Sequence, residues 1–167
     1  SLCLEKTRQE EERSKMEEMK RVEQSNKWLV ALSRGASQQL EALTLSGLQI
    51  LEAHGGYIRC RFVVSDRITN GDGSWNAGAM ATLIDDVGAA AIFSLVGHVR
   101  ASLDFSISYY SPVFADEEVE IEAKVYGNKD RLSSVVIEVR KKDSRQVVAL
   151  GKQWMAQHKI PTRPSKL

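Results

Sequence analysis

One stretch limits the fold more than any other. Residues 77–96, Ala-Gly-Ala-Met-Ala-Thr-Leu-Ile-Asp-Asp-Val-Gly-Ala-Ala-Ala-Ile-Phe-Ser-Leu-Val, are almost wholly apolar, and Asp85 and Asp86 are the only charged residues between Asp72 and Arg100. Alanine and leucine favour helix, and at about 1.5 Å per residue the stretch makes a helix of roughly 30 Å. A helix that is apolar all round has no face for water and must be covered on most sides. Gly78, Gly88 and the alanines leave room for neighbours to approach closely. Its most apolar part, Val87 to Val96, is too short to cross a bilayer, so no membrane span is expected.

The rest of the chain supplies the cover. Ile58, Cys60, Phe62 and Val64 alternate with Tyr57, Arg59, Arg61 and Val63, the period of a half-buried strand. That run pairs with residues 47–53 across the turn His54-Gly55-Gly56. Val99, Ala101, Leu103, Phe105, Ile107 and Tyr109 alternate with Arg100, Ser102, Asp104, Ser106 and Ser108 until Pro112 stops the strand. Runs at 117–126 and 132–142, joined by Gly127-Asn-Lys-Asp130, and a last strand over 146–158 complete the set. The expected class is α+β: a long central helix wrapped by a curved antiparallel sheet of five to six strands. Such a sheet has open edges, and pairing with a second copy is a usual way to cover one.

Composition divides the chain. Half of residues 1–28 are charged, seven acidic and seven basic, with Met16, Met19 and Val22 as a thin apolar stripe, which predicts an exposed helix, frayed or coiled, as a separate extension. One or two short helices over 27–43 lead into a domain at 29–160, and residues 161–167 form an extended tail. The tail ends in Ser165-Lys166-Leu167, the triplet read by the peroxisomal import receptor, so a peroxisomal location is expected. Lys+Arg 23 against Asp+Glu 22 leaves a net charge of +1 and gives no reason to expect a nucleic-acid partner. The two cysteines, Cys3 and Cys60, do not suggest a disulfide framework, which favours a reducing compartment.

The chemistry has two candidate places. Burying a carboxylate costs several kcal/mol unless it is paired or hydrogen-bonded, so Asp85 and Asp86 inside the apolar helix are either hydrogen-bonded elements of the fold or reactive groups. Adjacent helical residues point about 100° apart, so one can face a cleft while the other meets a protomer contact or a backbone donor. The second place is the polar loop Asn70-Gly-Asp-Gly-Ser-Trp-Asn-Ala-Gly78, which delivers the chain to the helix start, where free N–H groups offer an anion or oxyanion site. The loop lacks the third glycine of a dinucleotide fingerprint and the lysine of a P-loop. No Gly-x-Ser-x-Gly elbow is present, and His54, His98 and His158 are too scattered for a triad or a metal site.

Residues 40–158 resemble the hotdog-fold acyl-CoA thioesterases of the phenylacetic-acid-degradation type. The resemblance is strongest over Asn70 to Asp85, with Ala81-Thr-Leu-Ile-Asp85 in the helix, and over Ser102-Leu-Asp-Phe-Ser-Ile-Ser-Tyr-Tyr-Ser-Pro112. It implies that Asn70 helps hold the thioester, that Asp85 acts as general base or nucleophile, and that Ser102 helps position the attacking water. Where the family's helix opens with His-Gly-Gly, this chain reads Asn76-Ala77-Gly78. Ala77 then stands where a backbone N–H meets the thioester oxygen, and Asn76 and Gly78 stand beside the substrate. An asparagine can hydrogen-bond as histidine does but does not titrate near neutrality.

The resemblance further implies acyl-CoA as substrate, no metal or cofactor, and a homodimer or homotetramer whose site straddles the protomer interface. Two other readings stand beside it: hydrolysis of 1,4-dihydroxy-2-naphthoyl-CoA, whose enzymes resemble a branch that usually carries glutamate at the Asp85 position, and a non-catalytic acyl-CoA binding protein.

Overall fold

The computed structural model describes residues 2–35 and 39–157. The apolar stretch is one helix, α3 (Ala77–Val96), with the bounds expected from its composition. The Asn76 side chain caps its start by accepting the N–H groups of Gly78 and Ala79, and Gly97 closes its end in the left-handed conformation. By length and hydropathy the helix could cross a membrane, yet 61% of its most apolar window is buried inside the protein, as befits a core helix.

Six antiparallel strands form one curved sheet in the order β1-β2-β4-β5-β6-β3. They are β1 (Gln49–His54), β2 (Tyr57–Val63), β3 (Ala101–Tyr109), β4 (Glu118–Lys129), β5 (Leu132–Lys141) and β6 (Val147–Ala156). Period-two alternation turns Ile58, Cys60, Val119, Ile121, Ala123, Ile137 and Val139 inward, all fully buried with Leu83, Ile84 and Val87 of α3 in one core. Each such branched aliphatic side chain contributes about 1.5–3 kcal/mol on removal from water, which holds the helix in the sheet's concave face. Helix and sheet come close at Gly88, since a Cβ there would lie 2.7 Å from Gln153 Oε1 and 2.9 Å from Ile137 Cδ1.

Three expectations need correction. The β4–β5 hairpin runs further than its turn residues suggested: Gly127, Asn128 and Lys129 stay in the ladder opposite Ser134, Ser133 and Leu132, after a bulge between Val125 and Gly127. Asp130 then takes the positive φ that the tighter turn requires.

Strict alternation along β3 also fails. Its ladder with β6 slips between Ser102 and Asp104, placing Ser102 opposite the buried Met155 and Phe105 opposite the buried Gln153. A bulge turns the strand by one position, so Ser102 shares the inner face with Phe105 rather than lying opposite it. Leu103, the residue at the slip, and Val99 are exposed, whereas Arg100 is buried and donates to Ser133 Oγ at 2.8 Å.

The third correction concerns the composition boundary at residue 28, which is not a break in the chain. Helix α1 (Leu2–Ser33) crosses it without interruption, and its second half packs on α3. The buried Ser25 hydroxyl donates to the Ala90 carbonyl at 2.6 Å, Trp28 meets Phe93 edge-on, and Leu29 is fully buried. Even the charged half is tied to the sheet, where Glu18 accepts the Gly55 N–H at 3.0 Å. The tail with Ser165-Lys166-Leu167 lies outside the described residues.

If α1 is part of the core, Leu29→Ala will lower the unfolding free energy by about 2–5 kcal/mol, the usual cost of a cavity at a fully buried leucine. Chemical denaturation of the full chain checks this, and a loss under about 0.5 kcal/mol, the scale of a surface substitution, would make the helix an accessory.

Candidate active site

Asp85 and Asp86 leave α3 in different directions. Asp85 turns toward β3 and β6. Its Oδ1 accepts the Ser102 hydroxyl at 3.0 Å and also the side-chain amide of Gln153, whose Nε2 donates in turn to Ser102 Oγ at 2.9 Å. Both protein contacts fall on Oδ1, leaving Oδ2 without a protein partner among the described residues. The carboxylate is therefore anchored on one side and open on the other.

Gln153 has no counterpart among the residues singled out in the sequence. The available signal was its place in β6: it lies between Gly151 and Met155 on the inward positions, a lone amide on an apolar face, and it is fully buried. Ser102 was singled out only by resemblance, because the bulge that turns it toward the helix breaks the alternation.

Asp86 turns toward the short helix α2 (Gln39–Thr44), which carries Glu41. Its Oδ2 is buried without a hydrogen-bond partner among the described residues, as is Glu41 Oε2. Burial above all, then the charges of Asp85 and Glu41, push its carboxyl up to about 7.

At the start of α3 the loop residues hold one another. Asn76 Nδ2 donates to Asn70 Oδ1 at 2.8 Å, Asn70 Nδ2 donates to Ser74 Oγ at 3.0 Å, and Ser74 Oγ donates to Asp72 Oδ1 at 2.6 Å. The Ser74 hydroxyl and amide hold the Asp72 carboxyl below its ordinary range. Because Asn76 Oδ1 accepts from Gly78 and Ala79 at 2.9 and 3.1 Å, those two amides are taken up by the helix cap. The Ala77 N–H, one position earlier, has no acceptor among the described residues. Tyr109 fixes the same residue from its carbonyl side, donating to Ala77 O at 3.0 Å. Trp75, Ala77, Met80, Tyr109 and Pro112 line a cleft of about 290 Å³ beside this amide.

Ala77 and Asp85 are eight positions apart on the same helix, about 12 Å along its axis. No single small group can touch both within one copy. The literal His54-Gly55-Gly56 is the β1–β2 turn, where His54 stacks on Tyr57 with ring centroids 4.6 Å apart.

Residues 72–148, which hold Asn76, Ala77, Gly78, Asp85 and Ser102, match the thioesterase superfamily. The chain is also similar to human (Homo sapiens) acyl-coenzyme A thioesterase 13, with 27% identity over 109 residues, 65% of this chain and 78% of the relative. Its fold matches that of zebra fish thioesterase superfamily member 2, with TM-score 0.72 and 24% identity over 80% of this chain and 97% of the other. It also matches the E. coli PaaI protein from the phenylacetic acid degradation operon, with TM-score 0.68 and 18% identity over 85% and 99% of the two chains. The wrapped helix is thus the hotdog fold, and the similarity over the matched residues is to thioesterases.

Folded Asp86 keeps its proton to higher pH than the unfolded chain, whose carboxyl titrates near 3.8, so stability falls as pH rises from about 4 through about 7. Replacing it with asparagine removes that loss. Asp86→Asn is expected to raise Tm by roughly 3–6 °C at pH 8 and by little at pH 4. Calorimetry at both values checks the sign, and an equal shift at the two would refute it.

Proposed function

We propose that this chain is an acyl-CoA thioesterase, hydrolysing acyl-CoA to a free acid and CoA, with Asp85 as general base or nucleophile. The observation that carries the reading is the anchored carboxylate: Oδ1 taken by Ser102 and Gln153, Oδ2 open, on a helix whose one other ionisable residue is Asp86. As base, Oδ2 removes a proton from water while the water oxygen bonds to the thioester carbon. The oxygen of the tetrahedral intermediate takes up the negative charge and accepts the Ala77 N–H, a preorganised donor at a helix N-terminus. The C–S bond then breaks, the sulfur leaves as CoA thiolate, and the proton on Asp85 passes to it. As nucleophile, Oδ2 would instead bond to the carbon directly and release the thiolate first, with water cleaving the mixed anhydride afterwards.

The 12 Å between Ala77 and Asp85 supports a homodimer, or a homotetramer built from dimers, with the Ala77 loop of one copy facing Asp85 of another. Asn70 then acts chiefly by holding Asn76 in its capping position. Strand β3, paired only with β6, offers the free sheet edge at which a second copy can add. The chemistry asks for no metal or cofactor.

Thiol release from short, medium, long and aromatic acyl-CoAs tests the activity. Wild type is expected to turn over, and Asp85→Asn to lose roughly 100- to 10,000-fold in kcat with acyl-CoA binding kept. Binding without turnover by the wild type would instead identify a non-catalytic acyl-CoA binding protein.

The shared site has its own test. Ala77 is the first residue of α3, where proline is well tolerated, and Asn76 already has the extended backbone that precedes proline (φ −63, ψ 129). Ala77→Pro therefore removes the free N–H without removing a hydrogen bond of the fold, and it is expected to keep Tm while losing roughly 100-fold or more in kcat. Mixed with Asp85→Asn it should regain activity that neither variant has alone; no recovery in the mixed dimer would place both groups in one protomer's site.

The peroxisomal destination is part of the proposal. A fluorescent protein ending in residues 161–167 is expected to enter peroxisomes, and diffuse cytosolic signal would remove that part.

A further inference from the structure

Gln153 occupies a seat that packing alone does not favour. It is fully buried, yet its Oε1 has no hydrogen-bond partner among the described residues. Leaving a buried carbonyl unpaired costs stability, because its hydration is lost and nothing replaces it. The seat exists because position 88 is glycine, where a Cβ would lie 2.7 Å from that same Oε1. It also depends on Gly151, two residues back on β6, where a Cβ would lie 2.7 Å from Ile84 Cγ2. Methionine has nearly the same length and shape, would fill the space and would leave no orphaned oxygen.

What offsets the cost is on the Nε2 side. The amide has two hydrogens, and they go to Asp85 Oδ1 and to Ser102 Oγ. A serine hydroxyl has one hydrogen of its own. Since Ser102 accepts from Gln153, that hydrogen is committed to Asp85 Oδ1, 3.0 Å away. The triangle has one direction of donation, and it ends on a carboxylate oxygen holding two donors.

We propose that Gln153 is a positioning residue for thioester hydrolysis: it fixes the Ser102 hydroxyl as a donor to Asp85 and holds the carboxylate with Oδ2 presented to the reacting atoms. The proposal rests on Asp85 being the reactive carboxylate. Gln153 does not touch substrate; it acts through Asp85 and Ser102, and the two glycines are the space that lets a strand side chain reach the helix.

Gln153→Met in the full chain separates this role from a structural one. The expected result is a Tm equal to or above wild type, kcat lower by roughly 10- to 100-fold, and KM within about twofold. Adding Ser102→Ala to Gln153→Met should cost less than the sum of the two single losses, because they disable one unit. A lowered Tm with kcat per folded molecule near wild type would overturn the proposal. A second measurement does not depend on turnover. The side-chain NH2 resonances of Gln153, assigned by their loss in Gln153→Met, should move in both Asp85→Asn and Ser102→Ala, and resonances unmoved in both would overturn it. If the wild type releases no thiol, the thioesterase reading fails, while these resonances still decide whether Gln153 holds the carboxylate.

Discussion

Burying α3 is the constraint on which the rest of the structure depends. Sheet packs against one side of it, and the second half of α1 against another, through Ser25, Trp28 and Leu29. A helix so enclosed has few positions where a charge survives, and those positions are decided by what the neighbours offer. Asp85 finds two donors on β3 and β6. Asp86, one residue on, finds an unpaired glutamate on α2 and holds its proton instead. The same burial that makes the fold thus sorts two identical side chains into an anchored carboxylate and a reluctant acid.

The fold was largely legible because its signals are periodic and local. The bounds of α3, the β1–β2 hairpin and the six-strand limit follow from apolar runs, alternation and turn residues. Misreadings arose where one residue more or less changes the outcome. The bulge between Ser102 and Asp104 reverses the faces of β3, and nothing in Ser-Leu-Asp announces it. The hairpin after Val125 runs on through Gly127 for the same kind of reason. The boundary at residue 28 misled because composition reports exposure, and a helix can be exposed at one end and buried at the other without a break.

The site was legible only in part, for a different reason. Asp85 stands out as a charge where none belongs. Asn76 as a helix cap is also a local matter, and the cap explains why Gly78 and Ala79 are occupied while Ala77 stays free. Gln153 is remote, 68 positions from Asp85, and its partners are set by sheet pairing and by the absence of a Cβ at Gly88. No local pattern marks a contact made by leaving an atom out.

The bulge in β3 gives this chain one residue to spare. The exposed Leu103 side chain contributes little to the core, and many residues could replace it there without altering how the sheet wraps the helix. Even its deletion keeps the register: Ser102, Asp104 and Phe105 would then stand in plain alternation opposite Met155, Trp154 and Gln153, with Ser102 still on the inner face toward Asp85. What would turn Ser102 outward is the loss of the bulge with Leu103 kept, because regular pairing of all the residues from Ser102 to Phe105 puts those two on opposite faces. Length and pairing are thus coupled here, and a one-codon deletion at this position should be tolerated as readily as a substitution.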